Sequence, residues 1–135
     1  MAGISTNPSF QSSSSGSLAA DETKRLIASD KVDGTGVYNR AGDHLGSVHN
    51  VMIDKVSGQV AYVVIGFGGF LGIGAEYHPL PWKKLTYDPA IGGYVVDATR
   101  EQLERAPHYG TSDQPWVDPA YGRSIYDYYK VPYYM

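Results

Sequence analysis

The chain has 135 residues, of which 42% are hydrophobic and 19% are charged, and its 14 acidic and 11 basic residues give a net charge of −3. This length predicts one domain with additional terminal segments, and the charge balance excludes a basic field for DNA. Cysteine is absent, which excludes disulfide bonds, thiolate catalysis and thiolate metal sites. Because no apolar run approaches the ~20 residues of a membrane helix, we expect a cytoplasmic protein without membrane insertion.

Composition divides the chain into three segments. Residues 1–20 are rich in serine and have no hydrophobic period, which predicts a flexible N-terminal arm. Residues 21–107 carry strand and turn signals, whereas residues 108–135 form a tail rich in proline and tyrosine without a helical or strand period. We therefore expect a folded middle domain between two extended arms.

The middle segment contains six predicted strands, at residues 36–38, 45–53, 60–67, 77–82, 84–87 and 94–97. Turn sequences that combine Asp or Asn with Gly separate several of them, at residues 39–43, 54–59 and 88–93. This spacing predicts a meandering antiparallel sheet that is closed or half closed. One short helix follows, because Thr99 and Gln102 match a capping box and Pro107 follows the expected end of the helix.

The strand at residues 60–67 is apolar on both faces. Val63 and Ile65 alternate with Tyr62 and Val64, whereas a strand with one face in water alternates apolar and polar residues. We therefore expect either the tail or a second copy of the chain to cover the face that carries Tyr62 and Val64.

Five glycines lie between residues 66 and 74, which raises the question of a phosphate-binding loop. Leu71 stands where the third glycine of a dinucleotide motif belongs, and the first lysine after these glycines is Lys83, too late for a P-loop. Pro79 and Pro81 also exclude a regular helix after the glycines. We interpret this stretch as a structural bend in which Phe70 and Leu71 fill a hydrophobic site, with the bend formed by Gly66, Gly68, Gly69, Gly72 and Gly74.

The polar residues show no recognisable catalytic or metal-binding pattern. Glu76 and His78 are two residues apart on a predicted strand and would face the same way, but no third ligand has a matching position. Ser47 lacks the second glycine of a nucleophile elbow. We therefore predict no catalytic residue, no metal and no cofactor, and we expect that the protein is not an enzyme.

Six of the twelve tyrosines follow Ala120. Tyrosine buries a large area at low entropic cost, which favours protein contacts. A platform for single-stranded nucleic acid is the alternative, but nearby aspartates neutralise Arg123 and Lys130. The candidate interaction residues come from the two-sided strand, the bend and the tail, and are Tyr62, Val64, Phe70, Leu71, Trp116, Tyr121, Tyr126, Tyr128, Tyr129, Tyr133 and Tyr134.

Four motifs occur together in the middle segment: V-Y-N-x-x-G-x-x-L-G from Val37, I-D-x-x-S-G from Ile53, G-G-F-L-G-I-G from Gly68 and H-P-L-P-W from His78. Together they resemble the PRC-barrel domain of the stand-alone bacterial type, although the resemblance does not include the arm or the tail. It implies a small, mostly antiparallel six-stranded β-barrel, similar to the barrel of the photosynthetic reaction-centre H subunit and of a ribosome-maturation factor. It also implies an adaptor or assembly surface, with no catalytic residues to transfer to this chain.

Three functions follow from these observations. The first is an interaction module that self-associates, as a dimer or a larger assembly, through its second apolar face and its terminal arms, with another protein complex as a further partner. The others come from family analogy alone: an accessory factor of RNA or the ribosome, which the net charge disfavours, and a regulator of a membrane electron-transfer complex.

Overall fold

The computed structural model of this chain describes residues 25–68, 76–110 and 112–133. In these residues the strands are β1 (Gly36–Tyr38), β2 (His44–Ile53), β3 (Val60–Phe67), β4 (Glu76–Leu80), β5 (Leu85–Asp88) and β6 (Gly93–Val96). The α-helices there are α1 (Ser29–Val32), α2 (Arg100–Arg105) and α3 (Ala120–Tyr129), and short 3-10 turns occur at Trp82–Lys84 and Pro115–Val117. The predicted strands are confirmed to within a few residues at their ends.

The three predicted turns form for the local reasons that the sequence indicated. Gly42, Gly58 and Gly92 all have positive φ, a backbone region that glycine enters without steric cost. In two of the turns an aspartate also accepts backbone N–H groups: Asp54 Oδ1 from Val56 and Ser57, and Asp88 Oδ1 from Ala90.

The strands form one sheet in the order β4-β3-β2-β1-β6-β5. β1 pairs with β6 in parallel, and the other neighbours are antiparallel. In the described part of the chain no strand pairing joins the edge strands β4 and β5, so the sheet is curled but open. The prediction of a mainly β, six-stranded fold is therefore confirmed, but the sheet is mixed instead of purely antiparallel and is not a closed barrel. Strand periodicity reveals which residues are extended, but it does not reveal that strands distant in sequence pair in parallel.

Cross-strand register assigns each residue to one of two faces. Ile65 lies between Val48 and His78, which places these three side chains on one face of the sheet. Val64 lies between Asn50 and Pro79, which places these on the opposite face. Ile65 and Val64 are both completely buried, so both faces of β3 are covered, as a strand apolar on both sides requires.

Helix α2 begins and ends where its capping signals lie. The Thr99 hydroxyl accepts a hydrogen bond from the Gln102 N–H, and the Gln102 side chain accepts one from the Thr99 N–H. The predicted capping box is therefore confirmed, and Leu103 is the buried residue of this helix.

The prediction of a tail without helical period is wrong, because residues 120–129 form α3. The residues of α3 that are buried are Ile125, Tyr126 and Tyr129, and a one-turn spacing places Ile125 and Tyr129 on one side of the helix. Gly122 and the high tyrosine content conceal this pattern, since neither favours a helix by propensity. The helix is therefore stabilised by packing against the domain. The predicted N-terminal arm, residues 1–20, lies outside the described residues.

Candidate interaction site

The tail covers the second face of the sheet. Tyr62 is 5% exposed and its ring meets the ring of Tyr121 edge to face, with centroids 6.2 Å apart. Val64, two residues further along β3, shares that face and is completely buried. Of the two covers expected from the sequence, the described chain therefore provides the first, its own tail.

The chain reaches that face by passing the β4 edge of the sheet. Tyr77 and Tyr109 exchange two backbone hydrogen bonds of 2.9 and 3.0 Å as an isolated antiparallel bridge. Next to this bridge the ring of His108 stacks on His78, with centroids 5.0 Å apart. On the other side, Tyr109 contacts Tyr77 at 5.4 Å between ring centroids. The bridge thus fixes the position at which the tail leaves the edge of the sheet.

Two tyrosine hydroxyls attach α3 to distant backbone groups. Tyr126 donates to the Ala61 carbonyl of β3 at 2.5 Å, and Tyr128 donates to the Gln102 carbonyl of α2 at 2.6 Å. Each side chain buries its ring at the same time as it satisfies a carbonyl, which is the property that favours tyrosine at interfaces.

The C-terminal end of α3 is closed by a left-handed residue and an aromatic pair. Lys130 has a φ of 57°, a conformation that non-glycine residues adopt at helix ends at some steric cost. The following residues turn back, so that Tyr133 meets the Tyr126 ring at 5.0 Å and lies under the Arg123 guanidinium at 4.7 Å. As a result, Tyr133, at the end of the described tail, packs against α3.

Burial of the tyrosine layer changes its acid–base behaviour. Burial raises the pKa of Tyr62 to about 12, with a smaller contribution from Tyr133, and raises the pKa of Tyr109 to about 12, with smaller contributions from Tyr62 and Tyr77. The pKa values of Tyr121, Tyr126 and Tyr129 are also raised, in each case mainly by burial. These five tyrosines are therefore neutral over the physiological pH range. Because burial disfavours the charged form, their ionisation would oppose docking of the tail.

Three buried polar atoms of this layer have no hydrogen-bond partner in the described structure: Tyr121 Oη, Tyr129 Oη and Asn50 Oδ1. Asn50 lies on the Val64 face by its register in β2. An unpaired buried polar group costs about 1–3 kcal/mol, so the docked tail is less stable than its aromatic contacts alone would make it.

The connection between the bridge and α3 leaves two apolar residues in solvent. Trp116 is 40% exposed and Val117 is 72% exposed, and both lie in the 3-10 turn Pro115–Val117. Trp116 keeps one contact with the Tyr109 ring, at 5.7 Å between centroids. Among the predicted interaction residues of the tail that the structure describes, Trp116 is exposed, whereas the tyrosines are half-buried or buried.

Other predicted residues are not part of this site. Gly66 lies inside β3, where a Cβ would be 3.6 Å from the Tyr77 ring, an ordinary contact distance. Gly68 has a φ of 64° and ends the strand, as a bend residue would. The remaining predicted bend and interaction residues, Gly69, Phe70, Leu71, Gly72, Gly74 and Tyr134, lie outside the described residues.

Sequence reasoning did not identify Gly46 as structurally required. A Cβ on Gly46 would overlap the Gly66 carbonyl oxygen and approach a ring carbon of Phe67 to 2.7 Å. The close approach comes from the register in which β2 pairs with β3, which includes two irregularities. The turn at residues 54–59 predicts that these strands pair, but it does not predict this register.

A cleft of about 520 Å³ lies on the opposite face, beside His78. His78 is 2% exposed, and its Nε2 lies 3.3 Å from Glu76 Oε1, so the predicted Glu76 and His78 pair is in contact. Burial lowers the pKa of His78, and the hydrogen bond to Glu76 opposes this change. Among the described residues that line the cleft there is no Ser, Thr, Cys or Lys, so the pair has no nucleophile beside it.

The described residues contain no group of three or more His, Cys, Asp or Glu side chains placed to hold a metal ion. None of the helices described is both long enough and apolar enough to cross a membrane. We therefore interpret His78 in the cleft as a buried histidine that is hydrogen-bonded to Glu76. The aromatic contacts between the tail and the sheet involve more residues and form the more extensive candidate site.

An open curled sheet of six strands with a covering tail defines a small, mainly β domain. The model of the PRC-barrel domain matches residues 25–103, more than half of the chain. The chain therefore belongs to the PRC-barrel domain family, a family that is in general non-catalytic. No curated protein matches the chain. The matched residues end within α2, so the tail is an addition to the family domain.

Proposed function

We propose that this protein is a non-catalytic protein-interaction module that self-associates. One observation carries the proposal: a segment outside the family domain docks on an apolar face of the sheet through its tyrosines. The face of Tyr62 and Val64 thus has the shape and polarity to receive an aromatic helix, since α3 occupies it with its ring contacts and a hydroxyl bond to Ala61.

Composition of this surface favours a protein partner. Aromatic residues are enriched and charged residues depleted at the centre of protein interfaces, and four tyrosines, Tyr62 of the sheet and Tyr121, Tyr126 and Tyr129 of α3, lie where α3 meets the sheet. RNA binding would instead require a basic surface, and Arg123, the basic residue of α3, lies over the Tyr133 ring. The proposal also includes a cytoplasmic location, which cell fractionation would test.

Light scattering of the full chain over a range of concentrations tests self-association. We expect a mass of two chains or more, falling toward one chain on dilution, and no effect of added nucleotides or divalent metal ions. A single-chain mass at about 100 μM, well above the dissociation constants of specific complexes, would contradict the proposal.

A pull-down from the native source with mass measurement tests for other partners. The chain itself should be recovered together with the tagged bait. Recovery of ribosomal RNA or of an electron-transfer complex, with no second copy of the chain, would favour one of the alternatives derived from family analogy.

A further inference from the structure

The tail consists of two parts that attach to the domain independently. The first is the bridge between Tyr77 and Tyr109 at the β4 edge, and the second is α3 on the Val64 face. Between them, the described part of residues 110–119 is mostly exposed. If fully extended, ten residues span about 33 Å, so this segment is long enough to carry α3 away from its own sheet.

The connecting segment is held by local bonds. Hydrogen bonds within the segment join Gly110 to Asp113, Gln114 to Val117 and Pro115 to Asp118, all within four residues. Extending the described part of this segment therefore breaks turns, and it leaves the hydrogen bonds of the sheet intact.

The docked helix also carries the unpaired hydroxyls of Tyr121 and Tyr129 in its interface. Because buried polar groups without partners reduce the stability of an interface, they lower the free energy needed to detach α3. A detached α3 leaves Tyr62 and Val64 uncovered, and such an apolar face associates readily with another molecule.

We propose that α3 is exchanged between two copies of the chain, so that residues 120–133 of each copy cover the Val64 face of the other. This inference rests on the proposed self-association and identifies its surface. A second copy carries the same tyrosines and the same face, so exchange reproduces every contact of the closed form, the low-cost route to a dimer that identical elements permit. It also brings the two connecting segments together, where Trp116 and Val117 bury their exposed surface against the second copy.

Complementation between two variants tests the exchange. The first variant ends at residue 119 and therefore has a free face but no α3. The second is the full chain with Val64→Lys, which has α3 but a blocked face, since a lysine there would bury a charge without a partner. We expect neither variant to dimerise alone and an equimolar mixture to give a one-to-one complex by native mass spectrometry.

Insertion of ten Gly and Ser residues after Gly110 gives a test that does not disturb the core. The present connection already lets α3 reach its own sheet, and a longer one removes any remaining strain on this closed form, the change that disfavours domain swapping. We therefore expect the dissociation constant of the dimer to rise. The matched control carries the same insertion after Ser57, in the turn between β2 and β3, and should dimerise as the unmodified chain does. Circular dichroism would verify that both insertion variants are folded.

The outcomes separate this inference from the proposed function. If the unmodified chain dimerises and both truncation at residue 119 and the insertion after Gly110 leave the dissociation constant unchanged, self-association stands and the exchange is wrong. If the unmodified chain is a single chain at every concentration, both are wrong. A mixed complex together with a weaker dimer after the Gly110 insertion supports both.

Discussion

At the scale of single residues, β-strand pairing restricts Gly46 more severely than backbone conformation restricts the turn glycine Gly58. Gly46 faces the Gly66 carbonyl at a distance that leaves no room for a Cβ, whereas a Cβ on Gly58 would meet nothing within 4 Å. Gly58 contributes through its positive φ instead. Substitution of Gly46 therefore tests the effect of steric overlap, and substitution of Gly58 tests the effect of backbone strain.

We expect Gly46→Ala to lower the free energy of unfolding by about 3 kcal/mol or more, because β2 and β3 must move apart. Gly58→Ala should cost about 1 kcal/mol, the strain of a non-glycine residue at positive φ. Urea unfolding monitored by tryptophan fluorescence measures both. Equal losses for the two variants would contradict the assigned contact.

The Tyr126 hydroxyl joins α3 to β3 through a hydrogen bond to the Ala61 carbonyl. Tyr126→Phe keeps the ring, so we expect a loss of about 1 kcal/mol from the unpaired Ala61 carbonyl. Tyr128→Phe is the matched control, because its hydroxyl bonds to a carbonyl of α2. Hydrogen exchange of α3 amides should accelerate after Tyr126→Phe, and unchanged exchange would show that this bond does not hold the helix.

At the scale of elements, the docking of α3 depends on a neutral tyrosine layer. Burial holds the pKa values of Tyr62 and Tyr109 at about 12, whereas tyrosine in an unfolded chain titrates near 10. A raised pKa contributes stability that is complete below the unfolded value and is lost as pH rises through the folded value. The docked tail is therefore sensitive to alkali.

We expect α3 to detach between about pH 10 and pH 12, and tyrosinate absorbance should rise late and cooperatively in that range. The variant that ends at residue 119 leaves Tyr62 exposed, so its tyrosines should ionise closer to pH 10. Identical titration curves per tyrosine for the full and truncated chains would show that docking of α3 does not raise the pKa values of these tyrosines.

The junction of β4 with the tail has the opposite sensitivity to pH. Burial lowers the pKa of His78 below the ordinary value near 6.5, while Glu76 and the His108 ring face it from β4 and from the tail. A group whose folded pKa is lowered in this way binds its proton more readily in the unfolded chain. Stability is therefore lost as pH falls below about 6.5 and levels off below the folded pKa.

His78→Gln should flatten this acid dependence, since the titrating group is removed. Urea unfolding at pH 5 and pH 7.5 should show a smaller difference for the variant than for the unmodified chain. His49→Gln is a suitable control because His49 is exposed and stacks on Tyr77 without entering the core. An equally flat profile for both variants would exclude His78 as the source.

At the scale of the whole molecule, the family domain and its tail form one packed unit in the described residues. The buried core includes β3, β4 and α2 together with Ile125, Tyr126 and Tyr129 of α3. A chain restricted to residues 21–107 therefore loses the cover of one apolar face. It should bind a hydrophobic dye more strongly than the full chain does.

Deletion of each end in turn separates the contributions of the two terminal segments. Removal of residues 110–135 should change the oligomer size measured by light scattering, because it removes α3. Removal of residues 1–20 tests whether the N-terminal arm takes part in assembly. If both truncated chains assemble as the full chain does, neither segment is an assembly element.

The sequence by itself determined the elements that depend on neighbours in the chain. The strand positions follow from extended segments between turn signals, the turns from Gly42, Gly58 and Gly92 with a nearby Asn or Asp, and α2 from its capping box. The sequence also showed that the Val64 face needs a cover, because a strand apolar on both sides cannot leave one in water. It left open whether that cover is the tail or a second copy.

Only the tertiary structure decided the pairing of these elements. The parallel pairing of β1 with β6 joins residues that are distant in sequence, and the open edges of the sheet and the register at Gly46 also depend on how whole strands are arranged. Helix α3 forms because a sheet is available to bury Ile125 and Tyr129, although its own residues favour a helix only weakly. Local interactions therefore determine the strand and turn positions, whereas the helical structure of the tail depends on burial against a surface that is distant in sequence.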